Sequence, residues 1–182
     1  MKNDKLIKFE LFSTIFAMVL GTLLHFLFEW SGNNYIVAAF SAINESTWEH
    51  LKLIFFPMFI TTIIGYYIFN NEYSNYFCSK CIGIVSAILF IVIFFYTYTG
   101  IIGTNYAVLD IGSFFIAVLL GELISYKRII NKTQCNKRMW GLIIGLLFIS
   151  FICFTYNPPK INLFKDPVNL YYVIKINLVT FK

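Results

Sequence analysis

Apolar residues gather into five long runs, at roughly 9–28, 51–69, 82–98, 106–126 and 140–156, separated by short polar connections. Crossing the hydrocarbon of a bilayer takes about 20 mostly apolar residues at 1.5 Å rise each, and each run meets or approaches that length. The pattern predicts an all-α fold, a polytopic membrane helix bundle of about five transmembrane helices, with residues 1–157 as a single helical domain. The first run lacks the small-residue cleavage site of a secretory leader, so a retained helix is expected, with the mature protein beginning near Met1. Pro158-Pro159 stops the fifth helix, and Asp166-Pro167 favours a turn. Residues 158–182 are expected to form an extracytoplasmic or interfacial tail; its last segment, Leu170–Phe181, is too short and too interrupted by Lys175 for a sixth span.

Composition agrees. Of 182 residues, 59% are hydrophobic and 13% charged, with a mean hydropathy of +0.74. A soluble domain carries roughly 25% charged residues, so nucleic-acid binding, disordered linkers and disulfide-stapled secreted domains are disfavoured, and the lipid bilayer is the expected partner. The 21 Phe and 12 Tyr do not make a cofactor box, because Ile, Asn and Lys are over-used with them, as a biased coding sequence would also produce.

The net charge of +5 is read through the positive-inside rule. Lys2, Lys5, Lys8, Lys80, Lys127, Arg128, Lys132, Lys137 and Arg138 all fall on one side of a five-span layout, which places the N-terminus in the cytoplasm. The connection 29–50 carries Glu29, Glu45 and Glu49 without Lys or Arg, and 99–105 is uncharged; both are expected outside a bacterial cell membrane. Cys78, Cys81 and Cys135 then face the cytoplasm as reduced thiols, with disulfides not expected. Cys78-Ser79-Lys80-Cys81 has metal-site spacing, but the short loops supply no evident fourth ligand.

Ionisable groups near membrane depth are costly, and so mark candidate chemistry. His25 and Glu29 share one face at the outer end of the first helix, Asn44, Glu45, Glu49 and His50 gather at the start of the second, and Asp110 lies about one turn into the fourth. Two imidazoles among carboxylates suit a divalent metal such as zinc, with His25, His50 and Glu49 as candidate ligands and Glu45, Glu49 and Asp110 as candidate catalytic acids or bases. The same set also suits a proton relay or cation transport. No H-E-x-x-H, G-x-S-x-G or phosphate-binding glycine loop is present.

Each candidate has a plainer reading. Ser46-Thr47-Trp48-Glu49 is a capping box, so Glu49 need only start its helix, and Glu45 suits the helix dipole there. His50 and Lys52 fit an interfacial position, Trp30 and Trp48 an aromatic belt, and Thr97, Tyr98 and Thr99 a hydroxyl rim. Glu122 is expected to pair with Lys127 or Arg128. Ala17 and Gly21, Ala117 and Gly121, and Gly141 and Gly145 have the small-residue spacing of close helix packing, and Pro57 frees a carbonyl near Leu53.

Two strings carry a resemblance. Asn44-Glu45-Ser46-Thr47-Trp48-Glu49-His50-Leu51-Lys52, preceded by His25, and Pro158 through Pro167 resemble an uncharacterised family of small bacterial integral membrane proteins with an N-E-S-x-W-E-H-L-K signature. The resemblance covers residues 1 to about 168 and implies that His25, Asn44, Glu45, Trp48, Glu49, His50, Pro158, Pro159, Asp166 and Pro167 belong to family motifs. Family members continue past Asp-Pro with a glycine-containing turn, from which Val168-Asn169-Leu170-Tyr171-Tyr172 departs. No activity comes with it. The expected function is an integral membrane protein with a polar extracytoplasmic pocket, a divalent-metal-dependent hydrolase or transferase on a lipid or envelope substrate. The alternative is an ion- or proton-coupled transporter or a substrate-capturing subunit, in a homo-oligomer or a membrane complex.

Overall fold

The computed structural model describes residues 2–167, so the expectation for Leu170–Phe181 lies outside the described residues. Among the described residues six helices follow one another: α1 (Lys2–Trp30), the single turn α2 (Tyr35–Ala38), α3 (Thr47–Phe69), α4 (Tyr76–Ile102), α5 (Ala107–Ile130) and α6 (Lys137–Tyr156). A short 3-10 turn, Asn162–Phe164, closes the described chain. All but α2 are long and apolar enough to cross a membrane, the architecture of a multi-pass membrane protein. The helices overrun the apolar runs because polar end residues continue the turn. Asn34, Ser46 and Asn136 cap α2, α3 and α6 through side-chain oxygens, and Gly103, at φ +86°, ends α4 in the left-handed conformation that glycine adopts without strain.

α3 is apolar around its whole circumference and is the most buried span, packed against α1, α4 and α6. α4 and α5 form the most extensive pair, and small residues set their distance. A Cβ on Gly121 would stand 2.7 Å from the Gly83 carbonyl oxygen, and one on Gly83 would collide with the Gly121 carbonyl. Ala17 and Gly21 likewise let α1 approach α3 and α5: a Cβ on Gly21 would stand 2.5 Å from the Leu53 carbonyl oxygen and 2.6 Å from the Phe114 ring. That carbonyl is the one Pro57 deprives of its helical donor.

Several expectations are corrected. Gly141 and Gly145 do not serve close packing within the chain: a Cβ on Gly141 would have Phe77 at 3.8 Å, and one on Gly145 nothing within 4 Å. Trp48 is buried against Phe151 and Phe164, not set in an interfacial belt, whereas Trp30 is exposed. Lys80 is no loop charge; it lies inside α4, fully buried. Cys78 and Cys135 form a disulfide where reduced thiols were expected, leaving Cys81 and Cys153 free. Asn75 accounts for the approach: its Nδ2 donates to the Arg128 carbonyl at 2.7 Å and the Thr133 carbonyl at 3.4 Å, drawing the α5–α6 connection onto the start of α4 until the two Cα atoms are 6.3 Å apart.

The glycine contacts give the first prediction. Gly83→Ala or Gly121→Ala should destabilise the bundle by about 1–3 kcal/mol through overpacking, whereas Gly145→Ala should stay within roughly 0.5 kcal/mol of the parent, compared by unfolding in mixed micelles.

Candidate functional site

The C-terminal end of α1 meets the N-terminal end of α3, and the turn before α3 brings a carboxylate between them. Asn44 Oδ1 accepts from Ser46 N at 2.9 Å, and Ser46 Oγ accepts from Glu49 N at 3.4 Å to cap α3. Between them Glu45 N donates to Asp166 Oδ2 at 3.4 Å, so the turn is pinned by its own side chains and by the far end of the chain. Phe164, two residues earlier, packs on Trp48 and Phe154.

Held this way, the Glu45 carboxylate faces two imidazoles. His25 Nε2 and His50 Nε2 are 3.3 Å apart, His50 Nε2 is 3.4 Å from Glu45 Oε2, and His25 Nε2 is 3.8 Å from Glu45 Oε1. A tetrahedral ion about 2.0–2.1 Å from two imidazole nitrogens separates them by about 3.3 Å, so the two rings already stand at the edge length of one coordination sphere, and one ligand atom from each of the three residues lies within 4.8 Å of the others. The tautomer is also suited to a ligand. His50 Nδ1 lies 3.0 Å from the Ser46 carbonyl oxygen, which only accepts, so the neutral ring carries its proton on Nδ1 and turns the Nε2 lone pair to the cluster. The neighbouring His25, then His50, hold the Glu45 carboxyl below the usual carboxylate range, against partial desolvation. Its contribution to stability is therefore present above the ordinary carboxylate pKa and is lost as pH falls through the depressed value.

A cleft of about 470 Å³ runs from this cluster into the bundle, and Asp110 lines it too. Asp110 is in the first turn of α5, where its Oδ1 accepts from the Tyr98 hydroxyl and its Oδ2 from Asn105 Nδ2 at 3.2 Å. Tyr98 is thus a buried partner of Asp110 and not part of a surface rim.

Residues 1–174 match a family of unknown function (DUF6512). The chain belongs to that family. No curated protein and no solved structure matches it. The DUF6512 match spans both the 44–52 and the 158–167 strings, which the Asp166–Glu45 and Phe164–Trp48 contacts bring together.

Glu49 does not join the histidines in this DUF6512 chain. Its buried carboxylate pairs with Lys52 Nζ at 2.6 Å and accepts from Ile43 N at 3.1 Å and Thr155 Oγ1 at 3.3 Å. Lys52, expected at the interface, is fully buried and also donates to the Ala38 carbonyl at 2.9 Å and to Thr155 Oγ1 at 2.8 Å. The pair fastens α2, α3, α6 and the 39–46 connection together, which makes Glu49 a positioning residue for the turn that carries Glu45. Glu29 is exposed and does not line the cleft.

A second buried ionic group, at the opposite end of the bundle, escaped the sequence reading. Lys80 Nζ lies 2.9 Å from Glu10 Oε2 and also pairs with Glu122, which therefore does not take Lys127 or Arg128 as its partner. Ser13 Oγ stands 2.8 Å from Glu122 Oε1 and 2.7 Å from Thr61 Oγ1, and Tyr76 donates to Glu10 Oε1 at 3.4 Å. Glu10 inside the first apolar run was the available signal, since a carboxylate there needs a buried partner.

The two kinds of carboxylate should separate in a stability measurement. Glu49→Gln leaves Lys52 buried beside a neutral group and should cost about 3–5 kcal/mol. Glu45→Gln, half-exposed, should cost under about 1 kcal/mol by thermal unfolding without added metal.

Proposed function

We propose that this protein is a divalent-metal-dependent membrane hydrolase or group transferase, with His25, Glu45 and His50 as the metal ligands and zinc as the ion their chemistry suits best. The observation that carries the reading is the 3.3 Å approach of the two Nε2 atoms with His50 Nδ1 committed to a carbonyl. Three protein ligands leave a fourth position open, the arrangement of catalytic rather than structural zinc, and the cleft supplies the space beside it. An ion held by these residues would supply a Lewis acid and an acidified water. Asp110 is the cleft carboxylate left over from the ligand set, and so the candidate general base; the hydroxyl of Tyr98 and the amide of Asn105 hold it in place. Glu49, held by Lys52, has no part in the chemistry.

The site is assigned to the extracytoplasmic face of the cell membrane, with a lipid or envelope precursor as substrate. Lys5, Lys8, Lys127, Arg128, Lys132, Lys137 and Arg138 flank the other end of the bundle and support that orientation by the positive-inside rule. The Cys78–Cys135 disulfide, also at that end, weighs against it, since cytoplasmic thiols are kept reduced. Labelling of Lys127 and Lys132 with an impermeant amine reagent is expected only in inverted vesicles; labelling of either in intact cells would put the site in the cytoplasm.

A second reading, proton- or ion-coupled transport, is favoured by the buried Glu10–Lys80–Glu122 group, which lies at membrane depth and apart from the cleft. Elemental analysis of the detergent-purified protein separates the two. The hydrolase reading expects about one zinc per chain, reduced at least tenfold in His25→Ala and His50→Ala and retained in Glu29→Gln, whose side chain is exposed and outside the cleft. Metal-free protein whose melting temperature does not respond to added zinc would leave transport as the better account.

A further inference from the structure

The walls of the cleft differ in what lies behind them. Leu53, Ile54 and Ile91, from α3 and α4, are 4%, 1% and 8% exposed and form a buried back wall. Phe26 of α1 and Ile111 and Phe115 of α5 line the same cleft, yet are 44%, 59% and 37% exposed. The chain thus leaves the cleft open between α1 and α5, on a flank made of spanning helices, so the mouth faces lipid. Below it, Phe114 against Gly21 closes the gap between these helices and forms a floor.

Depth and charge narrow what fits. From Ala107 to Phe115 the α5 wall descends about 12 Å at 1.5 Å per residue, most of the roughly 15 Å of hydrocarbon in one leaflet. The volume, about 470 Å³, lies within the range of roughly 300–1,000 Å³ that holds a small molecule. Among the described residues no Lys or Arg lines the cleft, whereas Glu45 and Asp110 do, so a phosphate headgroup would meet two carboxylates without a cationic side chain from them. A carbonyl needs only one electrophile.

We propose that the cleft takes an acyl amphiphile with an uncharged, ester- or amide-linked head, entering sideways from the bilayer between α1 and α5 and presenting its carbonyl to the His25–Glu45–His50 end. The placing of the carbonyl rests on the proposed metal centre; the seating of the chain does not. Phe26, Ile111 and Phe115 form the mouth, Leu53, Ile54 and Ile91 the back wall, and Asp110 stands beside the head.

Two measurements on the full chain in nanodiscs test this. In the first, Phe95→Trp places a reporter in the cleft, and a bromine-tagged dodecanamide is titrated without metal. Saturable quenching is expected, weakened at least tenfold by Phe26→Trp with Ile111→Trp, which narrow the mouth. Quenching that rises linearly, as for bulk partition, would overturn the proposal while leaving the metal reading intact.

In the second, cobalt-loaded protein is titrated with dodecanohydroxamic and acetohydroxamic acids, read by the cobalt absorption spectrum. The long chain is expected to bind at least tenfold tighter, and the mouth substitutions are expected to remove that preference while leaving acetohydroxamate binding unchanged, which also shows the variant is folded. Equal affinity at both lengths, dodecyl phosphate binding more tightly than the amide, or a photo-crosslinker at position 111 joining two chains would each overturn it. Saturable quenching in a protein that binds no cobalt would uphold the amphiphile cleft and refute the metal centre instead.

Discussion

A lysine ammonium held away from water requires a carboxylate within a few ångströms, and both ends of this bundle are organised around that requirement. Lys52 at one end and Lys80 at the other are fully buried, and each gathers partners from several helices. Lys52 reaches α2 and α6 while its partner Glu49 holds the backbone of the connection before α3. Lys80 draws together Glu10 of α1 and Glu122 of α5, with Ser13 and Thr61 adding α3. Apolar packing between lipid-solvated helices is weakly directional, so these ionic groups are what select one arrangement of spans from many.

The half-buried cluster of His25, Glu45 and His50 differs from both. It contains no permanent cation, its members are accessible from the cleft, and its geometry is inherited from the Lys52 network, which fastens the turn holding Glu45. The division of labour is visible in two carboxylates four residues apart. Glu49 spends its charge on structure, while Glu45 faces open space and two imidazoles.

The five spans were legible in the sequence because a bilayer imposes a length and a polarity that need no tertiary knowledge. That His25, Glu45, Glu49 and His50 lie toward one membrane surface is legible for a similar reason, since they sit at the ends of two apolar runs, but the sequence points to Glu49 and not Glu45 as the carboxylate beside the two imidazoles. What hydropathy cannot supply is which residue stands opposite which. Glu49 reads as a ligand because the sequence does not show that Lys52, one turn along the same helix, is buried. Lys80 reads as a loop charge because α4 starts at Tyr76, before its apolar run, and Glu10 is hidden inside a run whose average stays apolar. Cys78 and Cys135 are 57 residues apart, and only the Asn75 tether shows why they meet.

The contact from Asp166 to the backbone of Glu45 spans 121 residues of sequence. A ribosome delivers α1 and α3 to the membrane long before it reaches Asp166, so for most of its synthesis the nascent chain holds His25 and His50 beside an unfastened turn. The turn that carries Glu45 gains this last fastening only when the final described segment folds back over Trp48. Residues near the end of the described chain thus complete the surroundings of a cluster whose first histidine lies near its start.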